Sequence, residues 1–161
     1  MPQRPAKVKN SRRSAAADLP PQLSSGYLVR DAHRAFQRLL ERRIGAYGVA
    51  RGQWYFLRVL WITDGLSQRE LSARVGMMEP TTVIALRSME RDGLVQRVRG
   101  KDDRRKVRVF LSAKAKRLHD ELIGAARGIT DEAEEGIAPR DLAVFRRAIA
   151  RMTANLDRIE R

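Results

Sequence analysis

The chain has 161 residues, with 33 Lys and Arg against 19 Asp and Glu, two His and no Cys, and a formal net charge of +14. One domain of roughly 100–150 residues plus a tail is expected at this length, and 43% hydrophobic residues suffice for a core. Lack of Cys excludes disulfides, thiolate metal sites, Cys nucleophiles and thiol redox sensing, and the charge points to a polyanion, nucleic acid ahead of an anionic membrane because no Lys-rich amphipathic segment stands apart.

Residues 1–23 mix Pro, Ser, Ala and basic side chains without apolar periodicity, and read either as a flexible basic arm touching DNA backbone or as a plain solvated terminus. They lack an apolar signal-peptide core, and nowhere do 18 apolar residues run together, so a soluble cytoplasmic protein is expected. A helix is predicted from about Ser24, with Leu28, Ala32, Ala35, Phe36, Leu39 and Leu40 on one face and Arg30, Arg34 and Arg38 on the other, ending at Gly45 and Gly48. A second, nearly all apolar, is predicted over residues 53–62 and should be buried on most sides.

Ser67-Gln68-Arg69-Glu70 is a capping box, in which the Ser hydroxyl accepts from the N–H three residues on and the Glu carboxylate reaches back. The helix it starts meets Gly76, suited to a left-handed turn. Pro80 suits the first turn of the next helix, predicted over 80–91 and closed by Gly93. Two short helices about a Gly turn have the spacing of a helix-turn-helix. Residues 94–99 and 107–111 read as a two-stranded hairpin, or wing, with a charged tip over 100–106. Ser112 caps a further helix bearing Ala115, Leu118, Leu122, Ala125 and Ile129. Pro139 opens the last, where Leu142, Phe145, Ile149, Met152, Leu156 and Ile159 keep a heptad-like spacing that suits packing along a second helix, expected in a second subunit.

Charge is uneven along these segments. Basic against acidic residues number five to one over 1–23, five to two over 24–50, 13 to seven over 51–111, and ten to nine over 112–161. A polyanion should therefore meet the first two-thirds of the chain.

Placing Leu86 at the centre of a buried face directs Thr81, Ile84, Ala85, Arg87, Ser88 and Arg91 outward at 100° per residue. Short hydroxyls reach base edges or phosphates, Ile84 and Ala85 suit thymine methyls, and Arg87 suits guanine or phosphate. The candidate DNA-contacting set is Ser67, Gln68 and Arg69, then Thr81, Thr82, Ile84, Arg87 and Ser88, then Lys101, Asp103, Arg104 and Arg105 at the wing tip. An arginine there suits a narrow minor groove, with a neighbouring carboxylate to hold it. The alternatives are an ordinary helical turn beside a hairpin and a solvated charged loop.

The Arg30, Arg34, Arg38 stripe is a solvated face, a DNA-backbone contact or a grip on an anionic ligand, since two arginines four apart can hold a carboxylate or phosphate. The candidate effector set is Arg30, His33, Arg34, Arg38, Tyr47 and Trp54, with core packing the competing role for the aromatic residues. The candidate dimer contacts are Leu142, Phe145, Ile149, Met152 and Leu156. No metal site, cofactor or catalytic residue is assigned: a Gly-rich phosphate loop, nucleophile elbow and metal-ligand cluster are all missing from the sequence.

Taken together, Gly52-Gln53-Trp54, Leu66-Ser67-Gln68-Arg69-Glu70-Leu71-Ser72, Glu79-Pro80-Thr81-Thr82-Val83, Met89-Glu90-Arg91-Asp92-Gly93-Leu94-Val95 and Asp103-Arg104-Arg105 with Val109-Phe110-Leu111-Ser112 resemble the MarR family of regulators over residues 26–160. The resemblance implies a mainly α fold: a winged helix-turn-helix over 52–111, and N- and C-terminal dimerisation helices, 24–50 and 112–161, intertwined in a homodimer. It implies recognition helices in successive major grooves of a pseudo-palindromic operator, Arg105 in the minor groove and Asp103 as its anchor. It further implies repression relieved by small anionic aromatic compounds or their coenzyme A thioesters. The chain departs from the family where many members carry an early recognition-helix Arg, here Ile84, and where an Asp-Arg pair often follows, here Arg87-Ser88. The operator therefore cannot be borrowed. Without Cys the peroxide-sensing branch is excluded, and two His do not suit the zinc-responsive branch. The competing function is an effector-independent architectural DNA-binding protein.

Overall fold

The computed structural model describes residues 20–99 and 107–159. The described residues divide into two units, one up to Phe36 and one from Gln37 on. Residues 1–19 of the predicted arm lie outside the described residues. In the first unit, Pro21–Leu23 form one 3-10 turn where the arm was expected to run on without structure, and helix α1 (Ser25–Gly45) begins. The Ser24 hydroxyl accepts the Tyr27 N–H at 3.3 Å, which satisfies one amide of the first turn. Leu28, Val29 and Phe36 of this unit are exposed.

The second unit holds the end of α1, then α2 (Arg51–Ile62), β1 (Leu66–Ser67), α3 (Gln68–Val75), α4 (Glu79–Arg91), β2 (Val95–Arg99), β3 (Val107–Leu111), α5 (Ala113–Arg117), α6 (His119–Glu134) and α7 (Pro139–Ile159). Its core contains Ile44, Phe56, Leu57, Leu60, Leu71, Leu86, Met89, Leu94, Val109 and Leu122, all fully enclosed. Helix α2 runs through this core, which explains its nearly continuous apolar sequence. Among the described residues, no buried side-chain polar atom lacks a hydrogen-bond partner, and no helix is long and apolar enough to cross a membrane.

Two details differ from the sequence expectation. The two predicted wing strands pair as expected, and β1 adds a third, unpredicted strand to give an antiparallel sheet of order β1-β3-β2. β2 pairs with β3 from Val95 opposite Leu111 to Arg99 opposite Val107, and Leu66 of β1 lies opposite Val109. A two-residue strand is too short to show alternation, and its place is set by the corner before it. There, Gly65 N–H donates to the Val109 carbonyl at 3.0 Å, while Asp64 Oδ1 accepts Leu111 N–H at 2.8 Å. The helix after Ser112 is also divided. A continuous helix would aim the Ala115 carbonyl at the His119 N–H, but Trp61 Nε1–H donates to it at 3.1 Å. Such an insertion into the backbone ladder is a recognised cause of helix breaks, and it falls beside Leu118, where ψ is −4°.

Gly65 carries the corner because its φ is +76° and a Cβ there would lie 2.7 Å from the Phe110 ring. Gly65→Ala should destabilise the protein by about 2 kcal/mol or more, from left-handed strain and displacement of that ring. Urea denaturation checks this, with Gly76→Ala as the comparison: Gly76 is also left-handed, but its Cβ would meet open space, so the smaller loss is expected there.

Candidate nucleic-acid interface

The capping box forms as the sequence requires. Ser67 Oγ accepts Glu70 N–H at 3.2 Å, and Glu70 Oε2 accepts Ser67 N–H at 2.8 Å. That backbone hydrogen bond is the main reason the Glu70 carboxyl lies below the usual carboxylate range. Helix α3 ends at Gly76, left-handed with φ 71° and ψ 34°, and α4 follows after two residues.

Both ends of α4 are tied inward by side-chain hydrogen bonds. At its start, Thr82 Oγ1 lies 3.1 Å from Ser72 Oγ and 3.3 Å from the Met78 carbonyl, while Ser72 Oγ donates to the Met77 carbonyl at 2.5 Å. At its end, Gln53 Nε2 donates to Ser88 Oγ at 3.1 Å and to Asp92 Oδ2 at 2.5 Å. The other side of the same amide, Gln53 Oε1, accepts Ala50 N–H at 2.9 Å and so opens α2. Ser88 Oγ also donates to Asp92 Oδ2 at 3.2 Å and accepts from Arg91 at 3.1 Å. Hydrogen bonds from Gln53 first, then Ser88 and Arg91, hold the Asp92 carboxyl below its usual range. A depressed carboxyl favours the fold above its unfolded pKa, and that contribution fades as pH falls through the folded value. Glu90 pairs with Arg97 of β2, joining the same end of α4 to the sheet.

These bonds correct the candidate set at two positions. Thr82 is 0% exposed, so its hydroxyl cannot reach DNA from this fold. Ser88 has spent its one proton and both acceptor positions on Asp92, Gln53 and Arg91, leaving nothing to offer a base. Ala85 is half-buried against the core. The exposed face of α4 consists of Glu79, Pro80, Thr81, Ile84, Arg87 and Arg91.

Gln68 and Ser67 are half-buried and Arg69 is exposed. Together with Glu70, Glu79, Val107 and Arg108 they line one cavity of about 670 Å³. The starts of α3 and α4 and the wing strand β3 thus share one face. Arg108 and Glu79 on this face were absent from the candidate set. Alternation in β3 could have found Arg108, because Val107, Val109 and Leu111 point inward. Its guanidinium donates to the Gly65 carbonyl at 2.8 Å. Lys101, Asp103, Arg104 and Arg105 lie outside the described residues.

Of the effector candidates, Arg30, His33 and Arg34 are exposed in the first unit, with Arg30 stacked 4.3 Å over the Tyr27 ring. In the second unit Arg38 and Tyr47 are exposed, whereas Trp54 is buried, packed edge-on to Trp61 with centroids 6.0 Å apart. Trp54 is therefore a core residue with little surface for a ligand. In α7, Leu142, Ile149 and Met152 are half-buried, and Phe145 and Leu156 are 59% and 61% exposed. The helix is amphipathic yet has no buried residue. Among the described residues, no three His, Asp or Glu side chains are grouped to hold a metal ion.

Removing the Thr82 hydroxyl while keeping its shape separates its internal role from a surface one. Thr82→Val should cost about 1 kcal/mol of stability for the lost buried hydrogen bonds, against less than about 0.5 kcal/mol for Thr81→Val at the exposed neighbour. Paired chemical denaturation of the two variants measures the difference.

A family model described as the MarR family matches residues 49–107, the stretch that carries α2 to the wing. The HTH-type transcriptional regulator TtmR of Methylorubrum extorquens (strain PA1) is 29% identical over 65% of this chain; the match spans 56% of TtmR, a little over half its length. The crystal structure of a MarR transcriptional regulator from Methanosarcina mazei Go1 is 28% identical, with 83% of this chain and 96% of that one covered and a TM-score of 0.75. That of the PcaV transcriptional regulator from Streptomyces coelicolor, in complex with its natural ligand, is 25% identical, with 86% and 97% covered and a TM-score of 0.72.

Proposed function

Because the chain belongs to the MarR family, we propose that it is a homodimeric, sequence-specific DNA-binding transcriptional regulator, a repressor released by a small anionic aromatic compound or its coenzyme A thioester. The observation that carries the DNA-binding part is the shared face of α3, α4 and β3, where Arg69 and Arg108 flank one cavity and Arg87 and Arg91 stand exposed on α4. Cationic side chains neutralise phosphates, and a helix held rigidly at both ends can enter the major groove in a defined register. Gln68 and Arg69 at the start of α3 suit the phosphate backbone. Arg105, anchored by Asp103 and accompanied by Lys101 and Arg104, is assigned to the minor groove on the family pattern.

Dimerisation is supported by α7. A long amphipathic helix with no buried residue leaves Phe145 and Leu156 uncovered, and apolar area of this kind is stabilised by a second subunit. Two recognition helices about 34 Å apart then match one turn of DNA. A ligand that favours a different spacing draws the population away from the DNA-competent dimer. PcaV, solved with its natural ligand, supports the ligand-responsive part. Arg30, His33, Arg34, Arg38 and Tyr47 are the exposed residues assigned to bind the anion, and the cytoplasm is the assigned compartment.

Operator selection from random duplexes, followed by footprinting, tests the reading. A two-fold-related protected site is expected, with a specific affinity at least about a thousandfold above non-specific binding and a steep loss with salt. Sequence-indifferent protection would favour the architectural alternative. Leu156→Glu, at a position exposed in the protomer, should give a folded monomer by light scattering and lose the footprint. An unchanged dimer removes α7 from the interface.

Aromatic carboxylates and their coenzyme A thioesters should include a compound that raises the melting temperature, because it binds the folded state only, and that displaces the operator at the same concentrations. Absence of any such compound across a broad panel would leave regulation by an aromatic acid without support.

A further inference from the structure

We propose that Ile84 reads the C5 methyl group of a pyrimidine in the major groove, once in each operator half-site, so that at this base pair affinity depends on a methyl group and not on a hydrogen bond. This inference rests on the sequence-specific DNA binding proposed above. Ile84 is 69% exposed in the middle of α4, with Thr81 and Arg87 three residues to either side on the same face. Two polar side chains that could have supplied readout nearby are withdrawn: Thr82 is buried, and the Ser88 hydroxyl is saturated by Gln53, Asp92 and Arg91. Pro80, four residues earlier, has no donor, and Ala85, the other small apolar candidate, packs against the core. The centre of the presented surface is thus a branched hydrocarbon between cationic and hydroxyl-bearing neighbours.

An isoleucine side chain has no hydrogen-bonding atom, and entry into the groove removes its surface from water. Facing base-edge donors and acceptors it would strip them of water without replacing their hydrogen bonds, which is unfavourable. The major-groove edge offers one apolar group, the thymine methyl. Methylated cytosine carries a methyl on the same C5 atom, so the same contact forms with 5-methylcytosine and is missing from cytosine. Arg87 and Thr81 are then left to flanking bases or phosphates.

The test is a methyl scan of the operator obtained by selection. Each pyrimidine of a half-site is changed singly, thymine to uracil to delete the methyl or cytosine to 5-methylcytosine to add one, leaving every hydrogen-bonding atom in place. Binding is measured for the parent protein and for Ile84→Ala, whose melting curve should match the parent because the site is exposed. The expected result is one position per half-site at which the methyl improves parental affinity about fourfold, about 0.8 kcal/mol for one buried methyl, and about fifteenfold when both half-sites are changed. In Ile84→Ala this dependence should vanish at that position. A flat scan, or a methyl effect that persists undiminished in Ile84→Ala, overturns the inference while leaving sequence-specific binding intact. Failure of selection to yield any preferred duplex overturns both.

Discussion

The hydrogen bonds that hold α4 at its two ends are the constraint on which the presented surface depends. Buried hydroxyl and amide groups are costly unless paired, and here Ser72 with Thr82 at one end, and Gln53 with Ser88 and Asp92 at the other, are paired only when α4 sits in one register against α2 and α3. Leu86 and Met89 fill the core between these anchors. A helix fixed in this way cannot roll to bring a different set of side chains forward. Its outer face is consequently defined by what the anchors leave out: Thr81, Ile84, Arg87 and Arg91, with Glu79 at the start.

Helix α2 links that surface to the wing. Gln53 in its first turn grips the end of α4, while Trp61 in its last turn donates to Ala115. Just beyond it, Asp64 accepts from Gly65 and Leu111 and pairs with Lys116. The helix therefore touches α4 and α5 through oriented polar contacts, and the corner that follows it adds those to β3 and a second to α5. Interiors packed at crystal-like density transmit displacement poorly as bending and well as rigid shifts. Movement of α2 would carry α4 and the sheet together.

Charge and apolar surface divide the labour along the chain. The segment over 51–111 has 13 basic against seven acidic residues, and within it Arg97 and Arg108 are tied to Glu90 and to Gly65. The segment over 112–161 is nearly balanced, and its acidic side chains make specific pairs, Glu132 with Arg43 and Glu134 with Arg146. Partly exposed pairs of this kind add little stability, whereas the uncovered Phe145 and Leu156 of α7 suit a second subunit.

Much of this was legible in the sequence because it is local. The Ser67–Glu70 capping box, the left-handed turn at Gly76, Pro80 at the start of α4 and the inward Val109 and Leu111 of β3 each depend on residues a few positions apart, and each lies where sequence spacing placed it. What the sequence could not decide are contacts between distant segments. Helical periodicity sets Ser88 outward, but Gln53, 35 residues away, claims its hydroxyl. Thr82, four residues before Leu86, falls on the buried side by the same periodicity, and the fold shows what its hydroxyl meets there, Ser72. Strand β1 exists only because Gly65 and Asp64 meet β3, and the break before α6 follows from an indole donated by α2. The sequence by itself thus determined which elements form and where they start and stop, since capping, turn and periodicity energies are short-range. The tertiary structure alone decided which polar groups those elements keep for themselves and which remain for a partner, because satisfying a buried donor or acceptor is a matter of what the folded chain brings beside it.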